Sequence, residues 1–327
     1  MHSEKKFKMC ALDLDGTLLN SSHCISETSV KCLQRLHGKG FKIAIASGRS
    51  PAACAEVIQR LDLHDHVSGF PVVTTNGARG IHVFKNKSLV GLDTKKLLKQ
   101  QDRHHNHDDD ESNNPMIDGR MILSELFHQP VPMDITIKTL ELAKTLGCVT
   151  NYYIEHDIVA HADDESHFAA TRKYTELTGV PFVYVKDNYQ SAMKRGLPSK
   201  LIILCCGKDV DMVYEHADGV LGAHAKVIRG SPPWFVEVLH KDVNKGVGLQ
   251  MLCDRLHVNL EEVITFGDGD NDIEFLQMSG LGIAMKNARE TVKAIADLET
   301  DHCNDEDGVI RMLEKLETQG KLHLCND

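Results

Sequence analysis

Four short apolar segments, each ending on a polar side chain, constrain this chain more than any other feature: "KMCALDLD", "FKIAIAS", "PVVTTNGA" and "EEVITFGD". The first three are separated by segments of helical periodicity, one from Ser26 to Gly40 and one from about Pro51 to Leu61. Strands alternating with amphipathic helices predict a parallel sheet with helices packed on it. In such sheets ligands sit at the carboxyl ends of the strands. That edge would carry Asp13, Ser47, Asn76 and Asp268.

The first segment raises the sharpest chemical question, because Asp13 is followed two residues later by Asp15 and then by Gly16-Thr17. In an extended strand, residues i and i+2 share a face, so the two carboxylates would converge. Such a pair repels unless a cation or a shared proton intervenes. The fourth segment runs into "GDGDND", adding Asp268, Asp270, Asn271 and Asp272. Hard oxygen donors in this number suit Mg²⁺, which takes a few carboxylates and keeps waters that a phosphate can displace. An EF-hand loop is excluded, since Ile273 stands where glycine is required and Ser279 where the bidentate glutamate belongs.

Composition narrows the class. The chain has 327 residues, 42% of them apolar and 26% charged, with a net charge of -10. The acidic balance argues against a general nucleic-acid surface, although a local positive site could still hold a phosphorylated small molecule. No apolar stretch reaches the ~18 residues of a membrane span. Asp13 and Asp15 interrupt any signal-peptide core. The ten cysteines are scattered, with no C-x-x-C pair, as in a reduced protein. The expectation is a cytoplasmic protein without a zinc site.

Between about Leu92 and Lys241 the rhythm changes. The stretch "KQQDRHHNHDDDESNNP", with His104, His105 and His107, reads as a solvated polar loop. Helices are expected over Asp134 to Leu146, Phe168 to Thr178 and Val210 to Leu221. Strands follow one another without crossover helices ("CVTNYYI" and "IVAHA", "AKVIR" and "WFVEVL"), which suggests an antiparallel sheet with helices on one face. The predicted architecture is therefore α/β, a doubly wound parallel-sheet core with an inserted α+β domain. Residues 1–92 and 242–327 form the core and 93–241 the insertion.

"DLDGTLL", "SGR", "Lys245-Gly246" and "GDGDND" together resemble the four motifs of the haloacid dehalogenase superfamily, and the chain looks most like its Cof-type phosphatases with a large α/β cap. "TTNGA" and the run "GLGIAMKNARETVKAIADLETDHCNDEDGV" fit that branch too. The resemblance implies that Asp13 is a nucleophile forming an aspartyl-phosphate, and Asp15 the general acid and then base. It implies that Ser47, with Gly16, Thr17 and Gly48, holds the phosphoryl group, and that Lys245 neutralises its charge. Mg²⁺ would be bound by Asp13, the Asp15 carbonyl, Asp268 and Asp272, with Asn271 ordering the loop and Asp270 left to solvent. Lys200, which also precedes a strand, is a weaker match to the motif lysine. Arg49 would bind substrate or pair with a core carboxylate. Asn76 and Gly77 would line the phosphate site or make a turn.

The implied reaction is Mg²⁺-dependent hydrolysis of a small phosphomonoester: a sugar phosphate, pyridoxal phosphate or a flavin-type metabolite. Asp157, His161, Lys186, Asn188, Lys194 and Arg195 are polar candidates for cap contacts, and Trp234 is expected to pack the cap or its junction with the core. A sugar phosphomutase and a non-catalytic phosphometabolite-binding protein are the rival readings. The expected partner is a small phosphorylated metabolite, with neither nucleic acid nor membrane.

Overall fold

The computed structural model describes residues 6–65, 67–86, 116–117, 121–205, 209–230 and 234–325. The histidine-rich stretch around His104 lies outside these. In the first unit the chain runs β1 (Met9–Leu12), α1 (Glu27–Gly38), β2 (Lys42–Ala46), α2 (Pro51–Leu61) and β3 (Phe70–Thr74). A 3₁₀ turn at Thr75–Gly77 leads into β4 (Arg79–Lys85), β5 (Met116–Ile117) and β6 (Met121–His128). Ser26 and Ser50 cap α1 and α2 by accepting the N–H of the third residue onward, and Pro51 occupies the first turn of α2.

The second unit contains α3 (Met133–Thr145), β7 (Val149–Ile154), β8 (Asp157–Ala160), α4 (Glu165–Thr178), β9 (Phe182–Tyr184) and α5 (Gln190–Arg195). It continues through β10 (Leu201–Leu204), α6 (Val210–Leu221), β11 (Ala225–Arg229) and β12 (Phe235–His240). The chain then rejoins the first unit with α7 (Lys245–Leu256), β13 (Val263–Gly267), α8 (Ile273–Met278), β14 (Leu281–Ala284), α9 (Glu290–Lys293), β15 (Leu298–Glu299) and α10 (Gly308–Thr318).

The large sheet has the order β15-β14-β13-β1-β2-β3-β4-β6-β5. Its first six strands are parallel, as the strand–helix rhythm predicts. The β1 strand is central and wholly buried, which explains its unbroken apolar run. Beyond this parallel core, β4, β6 and β5 extend one edge of the sheet antiparallel. The expected insertion at residues 93–241 also differs from the pairing, because β6 bonds along β4 from Lys85↔Met121 to Arg79↔His128. The "MILSELFH" segment has inward faces at Met121, Leu123 and Phe127, so it extends the large sheet. The chain crosses into the second unit only after His128.

The second sheet has the order β11-β12-β10-β7-β8-β9, antiparallel except for β8 with β9. Helices do not lie on one face only. Ile135 and Ala143 of α3 and Val213, Ala217 and Leu221 of α6 share a core with Tyr152, Leu201, Ile203 and Val236. Tyr174 of α4 packs on the opposite face with Tyr153, Ile202 and Phe235. Trp234 belongs to that second cluster, against which Ala52 and Ala53 of α2 also pack, so the tryptophan stands at the junction of the two units. Among the described residues, no helix is long and apolar enough to cross a membrane.

Candidate active site

The parallel strands deliver their terminal side chains to one edge. Asp13 follows β1 and its N–H donates to the Phe266 carbonyl of β13, continuing the ladder by one residue. Asp268 follows β13, and Ser47 follows β2 with its N–H on the Val73 carbonyl. From below, α7 inserts Lys245 at its first turn. Asn244 caps that helix through the Val247 N–H at 2.8 Å, which aims the lysine into the site.

The Lys245 ammonium is 1% exposed and donates to Asp13 Oδ1 at 2.5 Å and Asp272 Oδ1 at 2.6 Å. Asp272 is equally buried, and its Oδ2 accepts the N–H groups of Asp268 and Gly269, both at 3.0 Å. Its two oxygens thus order "GDGDND" and hold the lysine. Carboxylate oxygens of Asp13, Asp268 and Asp272 lie within 4.8 Å of one another. Burial, helped by the charges of Asp272 and Asp268, pushes the Asp13 carboxyl up to about 8 against the pull of Lys245. Burial likewise pushes Asp268 up to about 6. Lys245 loses some of its charge preference to burial, but its two carboxylates more than restore it and hold its pKa above the usual lysine range.

These atoms test a bound cation. Asp13 accepts the lysine through Oδ1, and Asp268 accepts the Thr17 hydroxyl through Oδ1 at 2.9 Å. Each keeps its second oxygen. Gly16 has φ +77°, and a Cβ there would lie 2.3 Å from Asp268 Oδ2, so only glycine leaves that oxygen accessible. Hard oxygens, congested negative charge and a cradle that a side chain would fill together fit a hard divalent cation.

Asp15 does not join this cluster. The β1 strand ends at Leu12, so the same-face rule for residues i and i+2 has lapsed before Asp15 is reached. Its carboxylate is half-exposed and is gripped by Arg49, Nε to Oδ2 at 2.8 Å and Nη2 to Oδ1 at 2.5 Å. His23 Nδ1 lies 3.1 Å from the same Oδ1. Burial alone would raise this carboxyl, but Arg49 and then His23 outweigh it and hold Asp15 below the usual carboxylate range. Arg49 therefore pairs with a carboxylate, and that carboxylate is the expected general acid. His23, in the left-handed region at φ 56°, was not foreseen, since nothing in its neighbourhood of the sequence marks it.

The remaining predicted residues lie on the surrounding loops. Ser47 Oγ accepts the Arg49 N–H at 3.2 Å, leaving the hydroxyl proton to donate. Thr17 donates to Asp268 in this state. Asn271 Nδ2 reaches Asn76 Oδ1 at 3.1 Å and so ties two motif loops together. Gly77 (φ +102°) abuts α7, where a Cβ would meet the Asn244 carbonyl at 2.0 Å. Gly48 lies against the Asn76 side chain. Asp270 is exposed and pairs with Arg289 and with Thr291 Oγ1.

Lys200 is not the motif lysine. It is buried in the second unit, 3.1 Å from Glu237 Oε2, and its Nζ reaches the Gly48 carbonyl at 3.5 Å. Arg195 pairs with Glu155 and Asp157, His161 with Asp163, while Lys186, Asn188 and Lys194 are exposed.

The sequence matches the family described as haloacid dehalogenase-like hydrolase over residues 10–114 and 115–313. It is 30% identical over 320 residues to the 5-amino-6-(5-phospho-D-ribitylamino)uracil phosphatase YitU of Bacillus subtilis, covering 95% of this chain and 98% of that one. The phosphatase YwpJ of the same bacterium is 26% identical over 317 residues, covering 94% and 99%. A crystal structure of a haloacid dehalogenase-like hydrolase from Bacteroides thetaiotaomicron superposes with a TM-score of 0.72 at 26% identity, over 95% of this chain and all of the other.

Proposed function

The chain belongs to the haloacid dehalogenase-like hydrolases, among relatives that are phosphatases, and from this we propose a Mg²⁺-dependent phosphatase that hydrolyses a small-molecule phosphomonoester through an aspartyl-phosphate on Asp13. One observation carries the reading: a buried carboxylate at a central strand end accepts a buried lysine through one oxygen and lies in a cluster whose carboxylate oxygens, from Asp13, Asp268 and Asp272, are within 4.8 Å of one another. The nucleophile, the charge-neutralising cation and the phosphate-loop hydroxyl of Ser47 come from three different elements.

In this reading, Asp13 attacks phosphorus in line, the P–O bond to the leaving alcohol breaks, and Asp15 supplies the proton the alkoxide needs. Asp15 then takes a proton from the water that attacks the aspartyl-phosphate, releasing inorganic phosphate and restoring Asp13. Lys245 offsets the negative charge that gathers around Asp13. Asp13 and Asp268 would hold Mg²⁺ directly, with Asp272 ordering their loop, and the ion would supply charge neutralisation at the phosphoryl oxygens. Arg49 must exchange Asp15 for another anion before Asp15 can carry a proton, and the incoming phosphoryl dianion is such a partner. We further divide the chain into a core of the large sheet and a cap of about residues 130–241.

The deciding assay is phosphate release from an aryl phosphate, with Mg²⁺ and with chelator, for the wild type and Asp13→Asn. Metal-dependent release that falls by about 10³-fold or more in the variant is expected. Release unchanged in Asp13→Asn removes Asp13 from the mechanism. Isomerisation of a sugar phosphate without release would favour the phosphomutase.

A further inference from the structure

The C-terminal run "GLGIAMKNARETVKAIADLETDHCNDEDGV" holds no group that the reaction just described uses, yet its polar side chains reach the segment that follows β1. Asn287 Nδ2 donates to the Gly16 carbonyl at 2.7 Å, and Asn304 Nδ2 donates to the Leu19 carbonyl at 2.9 Å. Asp305 Oδ1 accepts the Ser21 N–H at 2.7 Å, and Asp307 Oδ1 accepts the Ser26 hydroxyl at 2.6 Å. These bonds join residues 271 to 285 positions apart, so they are tertiary contacts and not local turn geometry. The two asparagines are themselves linked, since Asn287 Oδ1 accepts the Asn304 N–H at 3.0 Å.

The Gly16 contact stands nearest the chemistry. Gly16 has φ +77° and packs so closely on Asp268 that a Cβ would lie 2.3 Å from Oδ2, while the next residue, Thr17, donates to Asp268 Oδ1 at 2.9 Å. The loop that supplies Asn287 also holds Asp268 itself. The Arg289 N–H donates to the Asp268 carbonyl at 3.1 Å, and the Met285 N–H to the Gly267 carbonyl at 3.0 Å. One short loop thus fixes both partners of the Gly16–Asp268 approach, Asp268 through backbone and Gly16 through a single side chain. Without a Cβ, the backbone at Gly16 turns more freely than at any other residue type. Inside the turn, the Thr17 and Leu19 N–H groups go to the Leu14 carbonyl at 3.2 and 2.9 Å, and the Leu18 N–H goes to the Asp13 carbonyl at 3.3 Å. None of these three bonds engages the Gly16 carbonyl. Its orientation is set from outside the turn, by Asn287.

We propose that Asn287 is a positioning residue: by holding the Gly16 carbonyl it keeps Gly16 and Thr17 seated on Asp268, in the arrangement that leaves Asp268 Oδ2 open to a divalent cation. Asn304 braces it from behind. The proposal rests on the phosphatase reading and deepens it, tying the cation site to a side chain outside the four motifs.

The test has two readouts besides turnover, amide hydrogen exchange and calorimetric titration of Mg²⁺, on the full chain as wild type and Asn287→Ala. Without metal, the Thr17, Leu18 and Leu19 amides should exchange about tenfold or more faster in the variant. The dissociation constant for Mg²⁺ should rise about tenfold or more, the usual cost of losing a group that orients a ligand. Raising Mg²⁺ should then recover most of the turnover lost at low Mg²⁺. A merely structural asparagine would lower the melting temperature and leave Mg²⁺ affinity unmoved. Exchange within threefold of wild type overturns the proposal, and so does faster exchange with Mg²⁺ affinity within threefold of wild type. Asn287→Asp keeps the shape and the acceptor for the Asn304 N–H, but as a carboxylate it cannot donate to Gly16. It should speed exchange equally and serves if the alanine variant does not fold; it is read by exchange alone, because its charge itself attracts the cation. If the wild type neither binds Mg²⁺ nor releases phosphate, the phosphatase reading has failed by itself. The hold of Asn287 on the Gly16 turn is then decided by the exchange rates, tenfold faster upholding it and a change within threefold overturning it.

Discussion

At the scale of single residues, the site is a problem in where protons and charges reside. Asp13 is raised from an ordinary 3.8 to about 8 by burial first and neighbouring carboxylates second, and Asp268 to about 6. A folded carboxyl raised in this way contributes stability below its unfolded value and loses it as pH climbs through the folded one. The metal-free protein should therefore melt at lower temperature at pH 8 than at pH 6, and Mg²⁺ should reverse the difference. Metal binding must expel those protons, so the apparent Mg²⁺ affinity should rise between pH 6 and 8, by up to about tenfold per unit for each proton displaced. Titrations at fixed ionic strength measure this directly; a flat profile would mean that Asp13 is already ionised without metal. Lys245→Ala leaves two buried carboxylates without their cation. A loss of about 3–5 kcal/mol is expected in urea unfolding at pH 7, together with collapse of phosphate release.

At the scale of elements, each reactive group is aimed by a strand end or a helix cap. Asn244 illustrates the link, since its side chain fixes the first turn of α7 and with it the direction of Lys245. Asn244→Ala should cost about 1 kcal/mol of stability and reduce turnover by more than that loss alone explains, with kcat the more sensitive parameter. This scale is also where sequence reading succeeds and stops. Asp13, Ser47, Lys245 and Asp268 were legible because a strand or helix terminus is a local signal, written in adjacent residues. Asp15 was misplaced because β1 ends at Leu12, before the strand's alternation can reach it. The "MILSELFH" strand was assigned to the wrong unit because nothing local distinguishes an edge strand of one sheet from that of another. Glu237 was not legible because its partner Lys200 lies on another strand, and His23 was not because nothing local marks its approach to Asp15.

At the scale of the whole molecule, two sheets meet along a seam that includes Lys200 with Gly48, Leu239 with Ala78, and Trp234 beside Ala52 and Ala53. The chain has a single tryptophan, and it is buried at that seam with the Lys173 ammonium 4.2 Å from its ring centroid. Its emission thus reports on the junction without labelling. Orthovanadate with Mg²⁺, a mimic of the phosphoryl group, should change its intensity or wavelength if the units move on ligand binding. An unchanged spectrum alongside measured vanadate binding would mean that the seam stays shut.

The strand order carries a consequence for how the molecule is made. The central β1 is flanked by β2, which follows at once, and by β13, which begins only at Val263. On the ribosome the first strand is therefore translated long before its second neighbour exists. At roughly 5–20 residues per second, its unpaired side waits tens of seconds, an apolar template open to any passing strand. The second sheet, carried on a continuous stretch from Val149 to His240, emerges complete within that interval. Synthesis thus passes through a stage in which the unit of the second sheet is folded and that of the large sheet is half-built, and at that stage nascent chains should bind chaperones most strongly.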